Sequence, residues 1–304
     1  VRLALLGLGL IGGSIARAVR PRGWRVAAWT PSGAGPRGAL AAGVVDVVAT
    51  SVEAAVVDAD LVVLAGPASA CLELLDQLGG PARSALGSGA VVTDVASTKL
   101  LLEGRARELG LRFVGGHPMA GRESSGFEAS DGGLFVGRPW VVVAPPGDPE
   151  GAARVEALAL ACGARPVRLE AAEHDVAVAA ISHAPLVLAA ALVEAVAGGP
   201  AETESADWPV AASLAASGWA SATRLALGDP AMGAAIARTN AGPLASRLRD
   251  VRARLDEWIE ILDTVGSDGL PDEERLRARL ASARARLTAA RDPGGPGAGT
   301  PTTG

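Results

Sequence analysis

At 304 residues the chain is long enough to bury a substantial core and to form two domains. Its formal charge of -5, from 28 Lys and Arg against 33 Asp and Glu, speaks against a general nucleic-acid binder, which needs concentrated basic clusters for phosphate contacts. Small molecules are the expected partners. Two cysteines, Cys71 and Cys162, cannot build a disulfide framework, and no charged-then-apolar leader opens the sequence, so it reads as cytoplasmic. Tyrosine is absent and Lys99 is the only lysine amid abundant Arg, Ala, Gly and Pro, the pattern of a GC-rich coding sequence. A lysine that survives such a bias carries weight.

In chain order, the apolar run 2–6 leads into GLGLIGGSIARAV, a strand, a tight turn and a helix. Gly7, Gly9 and Gly12, with Leu10 and Ile11 opening the helix, fit a dinucleotide turn. There the first glycine makes the bend, the second admits a pyrophosphate and the third lets helix and strand pack closely. The plain alternative is a glycine-rich turn without a ligand. After the second run, 26–29, a ribose-binding carboxylate is expected, but Thr30 stands there, with Arg37 nearby. NADP therefore stands beside NAD as the cofactor.

Further apolar runs at 61–64, 90–93 and 112–114 alternate with helical stretches, which predicts a parallel sheet covered on both faces. Runs at 140–144 and 166–169 flank a helix near 149–162 and complete a Rossmann-type, doubly wound α/β domain over 1–170. The segment AVVTDVASTK places Asp94, Ser97, Thr98 and Lys99 just past a strand's carboxyl end, where such sheets bind ligands. Asp94 is expected either to reach the cofactor or to cap the following helix. In GGHPMAG, residues 115–121, His117 follows a glycine pair and precedes a proline. That framing predicts an imidazole displayed from a bent, irregular segment. Histidine's pKa near neutrality suits proton transfer, although a lone turn histidine can equally serve only backbone hydrogen bonds.

From His174 to about Arg291 the periodicity is helical, most clearly over 244–264 and 271–291, giving an all-α second domain over 171–291. The stretch 176–193 is 18 residues without a formal charge. Length alone would admit a membrane span. Ser182, His183 and Pro185 near its middle favour a helix buried in a helical core or subunit interface instead. Arg224, in an Ala/Leu-rich helix, must pair with an acid or grip an anionic ligand. Residues 292–304, rich in Gly, Pro and Thr, read as a disordered tail.

Together GLGLIGGS, TDVASTK, GGHPMAGRESSGF, EHDVAVAAISHAP and TRLALGDPAM resemble, in order, the prephenate and arogenate dehydrogenases of tyrosine biosynthesis. The resemblance implies NAD- or NADP-dependent oxidative decarboxylation, with His117 taking the proton of the ring hydroxyl and Ser97 orienting that pair. It also implies Arg224 on a substrate carboxylate, Glu123 lining the entrance, His183 near the substrate, and a homodimer through the helical domain. Relatives often carry SHLPH where this chain has Leu186 in place of the second histidine, and an aromatic residue where it has Gly233. Both departures bear on the choice between prephenate's keto acid and arogenate's amino acid. A β-hydroxyacid dehydrogenase would want a lysine in the helical domain, which this chain lacks. A non-catalytic dinucleotide sensor would need the glycine turn alone.

Overall fold

The computed structural model describes residues 1–122, 124, 126–199 and 204–291. The 292–304 tail, read above as disordered, lies outside the described residues. The first half alternates strand and helix: β1 (Arg2–Leu6), α1 (Leu10–Val19), β2 (Arg25–Trp29), α2 (Ala34–Ala41), β3 (Val47–Val48), α3 (Val52–Val56), β4 (Leu61–Leu64), α4 (Ala68–Gly79), β5 (Val91–Asp94) and α5 (Leu100–Glu108). The five strands form a parallel sheet in the order β3-β2-β1-β4-β5.

Period-two alternation on these strands feeds a core on each face of the sheet. Leu3, Leu5, Val26, Leu61 and Val63 point into one, and Ala4, Leu6, Val62, Leu64 and Val92 into the other. Both faces are covered, so the strands read as continuous apolar runs rather than polar–apolar alternation. Each fully buried Leu or Val contributes roughly 1.5–3 kcal/mol of transfer free energy.

Three further strands, β6 (Gly115–Pro118), β7 (Pro139–Val143) and β8 (Arg165–Arg168), form a second sheet, with α6 (Pro149–Ala161) between the last two. Here two expectations are corrected. The sheet is mixed, β6 running antiparallel to β7, and residues 112–114 only bridge to β5 while the strand itself starts at Gly115. The bridge is tight, Arg112 O accepting from Val92 N at 2.9 Å and Val92 O from Val114 N at 2.9 Å. The second sheet therefore continues from the edge of the first.

His117 thus stands on an extended strand, opposite Val141, and not on an irregular bend. Neither Gly115 nor Gly116 has a positive φ. They are glycines because of crowding. A Cβ on Gly116 would stand 2.6 Å from the carbonyl oxygen of Asp94, and one on Gly115 3.0 Å from Cδ of Lys99.

The remaining described residues are mainly helical: α7 (Ala171–Val178), α8 (Ala184–Ala197), α9 (Trp208–Leu214), α10 (Ser217–Thr223), α11 (Pro230–Thr239), α12 (Ala241–Asp263) and α13 (Glu273–Arg291). A π-helical turn, Ala179–His183, joins α7 to α8, and a 3-10 turn, Arg224–Leu227, follows α10. Contacts group Val1–Ala245 into one compact unit and the chain from Ser246 into a second. Within the second, the Arg279 guanidinium lies 4.8 Å from the Trp258 ring centroid and 2.9 Å from Glu257, tying α13 to α12.

The continuous helix Ala171–Ala197 meets the length and hydropathy required to cross a membrane, yet only 28% of its most apolar window is buried within the chain. Burial in a helical core of the single chain is therefore not what the structure shows. Val176 and Ile181 are exposed, and the helix is anchored through a few inward residues, among them His174, Asp175, His183 and Ala184.

Candidate active site

The glycine turn has the shape a dinucleotide requires. Gly7 adopts φ +113, and a Cβ there would collide with the Ala65 carbonyl, while a Cβ on Gly12 would collide with the carbonyl of Gly7. These two positions hold β1, β4 and α1 together. Gly9, by contrast, faces open space, with nothing within 4 Å of a Cβ position. It is also the N-cap of α1 and offers no side-chain cap to the helix's first amides, while Leu10 and Ile11 form the half-buried first turn. An open cradle at an uncapped helix N-terminus fits a pyrophosphate.

At the end of β2, Thr30 Oγ1 accepts from Gly33 N at 3.0 Å, and the Arg37 guanidinium folds back to donate to the Ser32 carbonyl at 3.2 Å. Arg37 is exposed and makes no ion pair with a carboxylate among the described residues.

Asp94, one of the residues expected at the cofactor, is instead fully buried. Its carboxylate forms an ion pair with Lys99, and both side chains have no exposure. Oδ2 also accepts from Ala96 N at 2.9 Å and Oδ1 from Gly116 N at 3.0 Å. Burial pushes the Asp94 carboxyl up, against the pull of Lys99 and the two amides. Both oxygens are engaged inside the protein and the side chain has no exposure, so Asp94 shapes β5 and β6 and does not face a cofactor. Thr98 Oγ1 meets Thr239 Oγ1 at 2.9 Å, fixing the same loop to α11.

His117 is half-buried, and its Nδ1 lies 2.8 Å from Nε2 of His174. The rings are edge to face, centroids 5.0 Å apart at 79°. Nδ1 of His174 in turn lies 2.8 Å from Oδ1 of Asp175. That carboxylate is itself held across the fold, Oδ1 accepting from Lys99 N at 2.8 Å and Oδ2 from Leu100 N at 2.9 Å. Asp175 on α7 thus caps α5, whose N-cap Lys99 supplies no side-chain cap. Burial opposes its charge, but the bonds from His174 and the two amides bring its pKa below the ordinary carboxylate value.

Burial, helped by the cationic Lys99 and the neighbouring imidazoles of His174 and His183, holds the His117 pKa well below 6.5. His117 is therefore neutral at physiological pH. Among the described residues its Nε2 has no hydrogen-bond partner and, unlike Nε2 of His183, is not sealed from solvent. One imidazole nitrogen is held and the other is available, the arrangement of a general base.

The other expected site residues are less concentrated. Ser97 is half-buried but forms no hydrogen bond to His117, whose Nδ1 is taken by His174. Buried His183 places Nδ1 3.0 Å from Asn240 Nδ2, and Asn240 also donates to the Asp175 carbonyl at 2.8 Å. His183 therefore braces α7 against the residue preceding α12. Arg224 is exposed on the 3-10 turn that packs against α8. Glu123 lies outside the described residues. The two positions that depart from the SHLPH and aromatic pattern are neighbours, a Cβ on Gly233 standing 3.5 Å from Cδ2 of Leu186.

His174, Asp175 and Asn240 were not singled out as site residues from the sequence. EHD followed by a run of small apolar residues reads as a charged helix start, and the contacts to His117 and to Lys99 span 57 and 76 residues. Only a listing of the three histidines against the chain's few buried acids could have raised the pairing.

Residues 15–168 match the family model of the prephenate dehydrogenase nucleotide-binding domain, and residues 170–281 that of its dimerization domain. A prephenate dehydrogenase of Bacillus subtilis is 33% identical over 273 residues, spanning 86% of this chain and 68% of the relative. The crystal structure of Synechocystis arogenate dehydrogenase superposes with a TM-score of 0.77 at 31% identity, covering 94% of this chain and all, 100%, of that one. The prephenate dehydrogenase of Aquifex aeolicus, solved with hydroxyphenyl propionate and NAD+, shares the fold at a TM-score of 0.79 and 24% identity, over 95% of this chain and 96% of that one.

Proposed function

Because the chain belongs to the prephenate dehydrogenase family, we propose that it oxidises prephenate to 4-hydroxyphenylpyruvate and carbon dioxide, with NAD or NADP, as a step towards tyrosine. The observation that carries this reading is His117, neutral, with Nδ1 held and Nε2 reachable, in a chain that also has an open dinucleotide cradle. The bound nicotinamide would accept a hydride from the ring carbon that bears the hydroxyl. His117 Nε2 takes the hydroxyl proton as that carbon is oxidised. Loss of the ring carboxylate as carbon dioxide then leaves its electron pair to aromatise the ring, and the oxygen regains a proton. The chain's part is to hold the base neutral, to place it and to bind a dianion.

Arg224 fits the dianion because a guanidinium offers two parallel donors to a carboxylate. Ser97, half-buried on the loop at the end of β5, is a hydroxyl for the same substrate oxygen. Glu123 would line the entrance. The cradle of Gly7, Gly9, Leu10, Ile11 and Gly12 would hold the pyrophosphate, and the loop of Thr30, Ser32 and Arg37, free of carboxylates, suits a 2′-phosphate. The helical region 171–291 is assigned to substrate binding and to pairing with a second copy. The exposed apolar side of Ala171–Ala197 supports that assignment, in a cytoplasmic homodimer.

Arogenate is the second reading. A Cβ at Gly233 would stand 3.5 Å from Leu186, so the two departures from the relatives' pattern fall in one spot and bear together on the choice of substrate. Nicotinamide absorbance assays crossing prephenate and arogenate with NAD and NADP decide both choices. His117→Asn should abolish turnover while leaving dinucleotide binding intact, and near-normal turnover would sink the assignment of the base.

A further inference from the structure

A histidine can serve as base only through the nitrogen that lacks a proton, so the tautomer of His117 decides whether Nε2 can act at all. With both imidazoles neutral, the hydrogen bonds around it leave one solution. Asp175 is acceptor-only as a carboxylate, so the 2.8 Å contact requires the proton on Nδ1 of His174. Nε2 of neutral His174 then carries a lone pair, and the 2.8 Å contact to His117 requires the proton on Nδ1 of His117. The free lone pair falls on Nε2 of His117.

We infer that His174 is a positioning residue for the reaction: together with Asp175 it locks His117 in the Nδ1-protonated tautomer and thereby makes Nε2 the proton acceptor. This rests on the reading of His117 as the base. The lock is built into the fold rather than onto the surface. His174 and Asp175 are 1% and 2% exposed, and both carboxylate oxygens are pinned by amides at the start of α5. The same chain answers a second need. Once protonated, His117 is a cation in a half-buried place that already holds Lys99, with Asp94 committed to that lysine. Asp175, two hydrogen bonds away through His174, is the anion left to balance it. His183 faces the group from the π turn and is bonded to Asn240.

The chain has only three histidines, so long-range proton–nitrogen NMR of the imidazoles in the intact protein, with dinucleotide and without substrate, resolves each ring. His117 and His174 should be Nδ1-protonated. His183, whose Nδ1 accepts from the Asn240 amide, should be Nε2-protonated. An Nε2-protonated His117 would overturn the inference outright.

His174→Leu and His174→Gln supply the functional arm, with thermal unfolding and dinucleotide binding measured alongside. Leu should release His117 to a mixture of tautomers and lower kcat on the order of 100-fold, the low end of a general base's usual contribution, with dinucleotide affinity unchanged. Gln, whose amide oxygen can accept from Nδ1 of His117, should recover part of both the tautomer and the rate. If the Leu protein does not fold, the native spectrum and the Gln variant decide. Equal loss in Leu and Gln with the native tautomer retained, or full activity in Leu, would refute positioning. Turnover surviving in His117→Asn would instead refute the base itself, and the spectra of the other two histidines would still stand.

Discussion

Lys99 is the chain's only lysine and is completely buried against Asp94, which makes Lys99→Met a sharp probe of the site's foundations. Methionine nearly preserves the apolar stem, so the change chiefly removes the ammonium. It leaves a carboxylate inside the protein with two amide donors, Ala96 N and Gly116 N, and no counter-charge. Breaking one side of a buried pair costs about 3–5 kcal/mol. For a domain of this size each kcal/mol moves Tm by about 2–4 °C, so a drop on the order of 10 °C is expected. Asp94→Asn restores neutrality in the Met background, so the double variant should lose less than the two single losses added together. The loss also depends on pH. With Lys99 gone, burial raises the Asp94 carboxyl further above its unfolded value, the folded state takes up a proton first, and the penalty shrinks as pH falls. Urea unfolding of the four proteins at neutral and acid pH reads out both effects. Strict additivity of the single losses would refute the idea that the two charges depend on one another.

Arg224→Ala should raise KM for the substrate with dinucleotide affinity unaffected, and an unchanged KM would return Arg224 to a structural role. Arg37→Ala should raise the Kd for NADP while leaving that for NAD nearly constant, as read by calorimetry; an equal effect on both would remove the 2′-phosphate assignment. His183 makes the fold acid-sensitive, because burial, reinforced by His174 and opposed by Asp175, lowers its pKa from 6.5 to about 4. The folded state therefore holds it neutral while the unfolded chain binds a proton. Stability is complete above about pH 6.5, falls as pH drops from there towards 4 by about 3 kcal/mol, and gains no further loss from this group below that. His183→Gln should flatten that limb of the stability profile.

The sheet was legible because its signals are local. The runs 2–6, 26–29 and 61–64 are apolar segments set off by glycines or polar turns, and the glycine spacing marks the first turn, whereas the two-residue edge strand β3 is too short to give such a signal. His117 was legible as a candidate base, but for a mistaken reason. The glycines before it were read as freedom of dihedral, whereas they relieve crowding against Asp94 and Lys99, a long-range fact invisible in the sequence. Asp94 was misassigned in the same way. A carboxylate at a strand's carboxyl end is exposed to ligand only if no cation is folded over it, and Lys99, five residues on, is. The histidine pair was missed because its two halves lie on a strand and a helix far apart in the chain.

The π turn at Ala179–His183 resets the rotation of the helix that runs through it. In a regular helix, nine residues at about 100° each would set His183 half a turn from His174, at the far rim of the inward face. One slack residue retards the winding, so that after Val178 and Ala179 the next inward pair is His183 and Ala184 in place of Ser182 and His183. The turn acts as a phase shifter, decoupling the azimuth of α8 from that of α7. Deleting a single residue there would let the helix rewind to an ordinary pitch with both histidines still inside. The same deletion in the even winding of α8 would swing everything beyond it by about 100° and carry its outward apolar side chains round to a different neighbour.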